Sequence, residues 1–184
     1  MGLTTTLVAK LLLAFLLTVS AVNAADISMS DGVIYIDGYI EKGDYVRIEP
    51  LLKDGVTIVG SSKGGQAFEG FLIGELLTQY EDIHFVGLFC RSSCANIAMG
   101  AASVEGEFGF HLARFPEGVL EALPEEHKKH IPGMKEWLFE LNGKIVLDLW
   151  TRHLTDEQIR SIVDEEAEKK LVSISFEETH YGFE

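Results

Sequence analysis

The sequence predicts an α/β fold with largely parallel strand pairing. Short apolar runs bounded by glycine and aspartate alternate with segments of helical period, the pattern of strands joined by crossover helices. No internal repeat, low-complexity tract or linker interrupts the chain, so residues 25–184 are expected to form a single domain. Apolar residues make up 47% of the chain, enough for a real core and too many for intrinsic disorder.

The N-terminal segment reads as an address rather than as structure. Lys10 is its only charge, Leu11–Val22 is an apolar run of twelve, and Val22-Asn23-Ala24 places small residues at the −3 and −1 positions of a cleavage site. The run is shorter than the ~20 residues that span a bilayer as a helix. Counting from Leu7 lengthens it, but Lys10 interrupts the stretch, which disfavours an uncleaved anchor. Residues 1–24 are therefore expected to be a signal peptide, removed near Ala24 from a periplasmic or secreted protein.

The elements of the remainder follow in order. Val33–Ile36 and Thr57–Gly60 read as buried strands, with a short helix between them over Asp44–Leu52. Gln66–Gln79 predicts a helix with Phe68, Phe71, Leu72 and Leu76 on one face and Glu69 and Glu75 outside it. Ile83–Phe89 is a third strand, Ala95–Ala102 a helix of small residues, and Glu107–His111 a fourth strand. Glu121–Lys135 is charged, holds two prolines and reads as an exposed excursion. Helical spacing resumes over Lys135–Trp150 through Trp137, Leu138, Leu141, Ile145 and Leu149. Thr155–Glu168 is a further helix, with Thr155 and Gln158 in capping-box spacing. Val172–Phe176 closes as a strand.

Charge and composition exclude several functions. With 15 Lys+Arg against 29 Asp+Glu, the net charge is −14. A nucleic-acid partner is not expected, because such proteins need clustered cations to displace counterions. The same excess disfavours anionic membranes and the phosphates of acyl-coenzyme A. Two cysteines cannot make a four-thiolate zinc site. His127 and His130 stand at i, i+3 in a charged run without a third ligand, so no metal is expected. His84, His153 and His180 read as structural, and no cofactor is required.

Three segments carry chemistry, each at the carboxyl end of a strand, where open α/β sheets place their sites. Ser61-Ser62-Lys63-Gly64-Gly65 leads into a helix, and its glycines let backbone N–H groups face a cleft. Cys90-Arg91-Ser92-Ser93-Cys94 joins a buried strand to a helix, which puts a serine hydroxyl where N–H groups favour negative charge. Gly109-Phe110-His111 ends a strand on a histidine, a base that can activate a serine. Cys90 and Cys94 stand at i, i+4, within disulfide range in a helical or turn geometry. An exported protein meets oxidising conditions, so a bridge pinning the turn that presents Ser92 is expected.

Taken together, these motifs resemble a known family. Asp37-Gly38-Tyr39-Ile40, Val59–Gly65 with Gly70 and Ile73, Cys90-x-Ser92-Ser93-Cys94-Ala95 and Gly109-Phe110-His111 are similar to the exported Clp-protease-like proteins of the Clp-protease/crotonase superfamily. The tail Ser175–Gly182 resembles that superfamily's closing segment, so the likeness covers roughly residues 32–114 and 171–184. The resemblance implies a spiral of ββα units and an exported, peptidase-like serine hydrolase. It makes Ser92 the nucleophile, His111 the general base, and the backbone N–H groups of Gly65 and Ser93 the oxyanion hole. Ser93 as the nucleophile stays open beside Ser92. The implied substrate is a peptide or another acyl group, and a homo-oligomer is expected. An ATP-driven unfoldase partner is not, since ATP is scarce outside the cytoplasm.

Two departures from the family pattern support a second reading. Lys63 stands where Clp proteases usually carry proline, and Lys170-Leu171-Val172-Ser173-Ile174 supplies no acid where the triad's third member is expected. Asp148, Asp164, Glu165 and Glu166 are the nearby acids, without a motif to choose among them. The alternative is a catalytically inactive Clp-like binding or assembly module.

Overall fold

The computed structural model describes residues 24–113, 118, 120–141, 143, 147–164 and 171–180. The expected signal segment, up to residue 23, lies outside them, as do Glu165, Glu166 and the end of the closing segment beyond residue 180.

One six-stranded sheet organises the chain: β1 (Asp26–Ser30), β2 (Val33–Ile40), β3 (Thr57–Gly65), β4 (His84–Arg91), β5 (Ser103–Phe110) and β6 (Val172–His180). The strands lie in sequence order, with β2 to β5 parallel and an antiparallel strand at each edge. The expected parallel α/β architecture is thus present, and β1 is an addition to it. Strands β3 and β4 also run further than expected. Ser61–Gly65, expected to follow the strand, instead continues the ladder opposite Asp37, Tyr39 and Ile40.

Seven α-helices accompany the sheet among the described residues: α1 (Asp44–Ile48, followed by a 3-10 turn over Glu49–Leu51), α2 (Ala67–Leu77), α3 (Ser93–Ala98), α4 (Glu125–Lys128), α5 (Ile131–Leu141), α6 (Leu147–Trp150) and α7 (Asp156–Val163). Helices α2 and α3 pack on each other and against the central strands. Ile34, Ile36, Ile58, Phe85 and Phe108 are buried in the core, while Tyr35 and Tyr39 alternate outward on β2. Helix α7 opens with the expected capping box, Thr155 accepting from Gln158 N–H and Gln158 reaching back.

Three sequence expectations need correction. On α2 the buried side carries Glu69, Gly70, Phe71, Ile73, Gly74, Leu76 and Leu77, whereas Phe68 and Leu72 are exposed. The helix approaches α3 through glycine: a Cβ at Gly70 would lie 2.7 Å from Ser93 Cβ, and one at Gly74 would lie 2.7 Å from Asn96 O. Glu69 is buried because its carboxylate accepts the N–H groups of Gly43 (2.9 Å) and Tyr45 (2.7 Å) where α1 begins. Of the helix expected over Lys135–Trp150 the described residues hold α5 and α6, whereas Glu121–Lys135, expected to be an exposed excursion, contains α4 and the start of α5.

Candidate functional site

Ser92 is the hinge between β4 and α3. Its backbone has φ 55° and ψ −120°, a conformation a serine seldom adopts. Such a residue costs about 1–3 kcal/mol and persists only where its surroundings over-determine it. Here Ser92 N–H donates to Gly109 O at 2.7 Å, and Ser92 O accepts from Asn96 N–H at 3.1 Å. Gly64, at φ +100°, leaves the space the serine fills: a Cβ there would lie 2.5 Å from Ser92 Cβ and 3.1 Å from its Oγ. This is a sharp strand-to-helix turn of the kind that lifts a serine hydroxyl clear of its own chain.

Ser93 has the opposite surroundings. It is the first residue of α3, fully buried against Gly70 of α2, and its Oγ has no hydrogen-bond partner. Ser92 is only half-buried at the end of the sheet. The two neighbouring serines therefore differ in access.

The backbone donors follow from the ladder. Ile40 O accepts from Gln66 N–H at 2.8 Å, with Ile40 in register with Gly65. In a parallel ladder a residue bonds the two residues flanking its partner, so the N–H of Gly65 itself faces away from β2. Gly64 N–H is taken by Ser62 Oγ at 3.0 Å. Of the two glycines, Gly65 is the one left to donate. Ser93 N–H opens a helix and has no acceptor within it.

His111 follows β5 directly. Arg91 pairs with Gly109, so the histidine stands at the same end of the sheet as Ser92, on the neighbouring strand. Its Nδ1 lies 2.7 Å from Leu112 O. A carbonyl can only accept, so Nδ1 carries the proton and Nε2 is the basic nitrogen. No hydrogen bond joins Ser92 Oγ to His111. The acids Asp148 and Asp164 are exposed, and neither is hydrogen-bonded to the imidazole.

Cys90 and Cys94 form a disulfide, as expected, with Cα atoms 5.2 Å apart. Both cysteines are sealed from solvent, and Gly60 gives the bridge room, since a Cβ there would lie 3.1 Å from Cys94 Sγ. Sequence reasoning did not single out Gly64 as the neighbour of Ser92, Ser62 as the group that occupies Gly64 N–H, or the Leu112 carbonyl on His111. The Gly-Gly pair is a signal for the first; a backbone carbonyl leaves no trace in sequence. Beside the site, Asp37, Tyr39, Ser61, Lys63 and Phe89 line an open groove of about 270 Å³.

No family model matches the sequence, and no curated protein does either. Solved structures do match. ClpP1 from Listeria monocytogenes, in an asparagine-to-aspartate mutant form, is similar with a TM-score of 0.52 over 78% of this chain and 82% of that chain, at 16% identity. The chain is thus a mixed α/β domain with a Clp-protease-like fold.

Proposed function

We propose that this chain is an exported serine hydrolase, peptidase-like in its chemistry. Ser92 Oγ attacks the carbonyl of a peptide or another acyl substrate, and His111 Nε2 takes its proton and returns it to the leaving group. The N–H groups of Gly65 and Ser93 hold the oxyanion, where losing one such donor typically costs ~10²–10³ in rate. Water then releases the acyl group from Ser92 by the reverse sequence. The observation that carries this reading is the positive φ of Ser92, held against Gly64 at the carboxyl end of the sheet. Strain of that kind clusters at reactive residues.

The Leu112 carbonyl takes the place of the triad's acid in fixing the histidine tautomer. It does not carry the charge that would stabilise an imidazolium, so the site is slow beside a full triad. Catalysis also needs Ser92 Oγ and His111 Nε2 to approach to ~3 Å, a contact that commonly tightens only when substrate binds.

The disulfide supports an oxidising compartment, periplasmic or extracellular. Signal cleavage near Ala24, a spiral of ββα units, self-association and independence from an ATP-driven unfoldase belong to the same proposal. Exposed Phe68 and Trp137, with ring centroids 6.4 Å apart, supply apolar surface for a second copy to cover. The second reading, an inactive binding or assembly module, is favoured by the missing Ser92–His111 hydrogen bond.

Treating the folded protein with a fluorophosphonate, beside Ser92→Ala, separates the two. Labelling of the wild type alone supports the hydrolase. A folded wild type that takes no label leaves the module.

A further inference from the structure

We propose that the Cys90–Cys94 disulfide is the positioning element for Ser92, so that the site is assembled only once the two thiols are oxidised. This rests on the reading of Ser92 as the nucleophile. Cys90 is fixed inside the sheet, in register with Ser62 on β3 and Phe108 on β5. Cys94 is fixed in α3, fully buried. The bond joins these two points and leaves only Arg91, Ser92 and Ser93 to turn the chain.

The alternative is a continuation of β4. An extended path would carry the Cα of residue 94 to about 13 Å from that of residue 90. The observed 5.2 Å excludes it. Without the bond, the unfavourable φ of Ser92 is opposed by two backbone hydrogen bonds, to Gly109 and from Asn96, and each is a modest net contribution. The bridge supplies the covalent constraint that those bonds lack.

The cysteines are 1% and 0% exposed, so a thiol reagent has little access to them in the folded domain. The bond is therefore set as the chain folds and acts as an assembly latch. It forms by thiol–disulfide exchange with an oxidising disulfide partner. The two thiols lose two protons and two electrons, and the partner's disulfide leaves as a dithiol. A chain folding among reducing thiols keeps Sγ–H on both cysteines, its turn unlatched and its serine latent. One folding in an oxidising compartment becomes competent.

The test compares the oxidised wild type with Cys90→Ala/Cys94→Ala and with wild type refolded under reducing conditions, all well below their melting temperatures. Cys90→Val/Cys94→Ala, which refills lost volume, serves where the double alanine variant does not fold. Two readouts are followed: fluorophosphonate adduct rate, and amide hydrogen exchange over residues 91–94. With the latch absent, exchange there should rise, and the adduct rate fall, on the order of tenfold or more, as release of a strained backbone implies. Unfolding and refolding under oxidising conditions should restore the wild type and leave the cysteine-free variants unchanged. Exchange and adduct rates within twofold of the oxidised protein would overturn the proposal. Should the oxidised wild type take no label, the hydrolase reading fails, and the exchange readout still decides whether the bond sets the turn.

Discussion

Gly64 and Ser92 are in direct opposition across the ends of β3 and β4: a methyl group on the glycine would lie 2.5 Å from the serine's Cβ and 2.8 Å from Arg91 O. Two unrelated constraints meet there, since Gly64 also sits at φ +100°, where side chains are strained. Gly64→Ala is expected to destabilise by about 2–4 kcal/mol, adding backbone strain to overpacking. Urea unfolding gives the stability loss, and fluorophosphonate labelling should fall with it even in the folded variant.

Ser93→Ala should behave in the opposite way. The hydroxyl is buried without a partner, and removing such a group relieves a desolvation cost of about 1–3 kcal/mol. Thermal unfolding should show an unchanged or raised melting temperature, with labelling at Ser92 retained. A marked loss of stability would mean that the Ser93 hydroxyl has a partner in solution.

The sheet was legible because strands made of Val, Ile and Phe between glycines announce themselves, and the candidate site could be nominated because its segments follow strand ends. What escaped had physical reasons. Asp26–Ser30 forms an edge strand in which only Ile27 is partly buried, and the alternation of Ile27 and Met29 is too short to stand out. On α2 the expected apolar face misled, because Gly70 and Gly74 bring the backbone against α3 and turn Phe68 outward. Glu69 looks like a surface acid until α1's N–H groups provide its partners. The four-residue spacing of Gly70 and Gly74 was the available clue to that close approach.

Trp150 anchors α6 to the helix that carries the site. Its Nε1–H donates to Asn96 Oδ1 at 2.9 Å, both groups buried, and its ring meets Phe110 edge-on at 5.6 Å. Trp150→Phe leaves the Asn96 carbonyl unsatisfied and a void behind the smaller ring. A loss of about 2–4 kcal/mol in denaturant unfolding is expected.

His153 makes stability depend on pH. Burial pushes its pKa below the ordinary histidine value, opposed by its hydrogen bond to Ala101 O. The unfolded chain binds a proton near pH 6.5, and the folded chain only below that. Stability from this group is therefore fully present above about pH 6.5 and lost as pH falls through the depressed folded value. His153→Gln should flatten the melting temperature against pH across that window. An unchanged profile would show that other groups set the acid side.

In the proposed function Ser92 is the nucleophile and Ser93 is not. Peptide mapping by tandem mass spectrometry of the fluorophosphonate-treated protein locates the adduct. A single modification on Ser92 is expected, absent in Ser92→Ala and strongly slowed in His111→Ala. An adduct on Ser93, or none on the folded wild type, would contradict it.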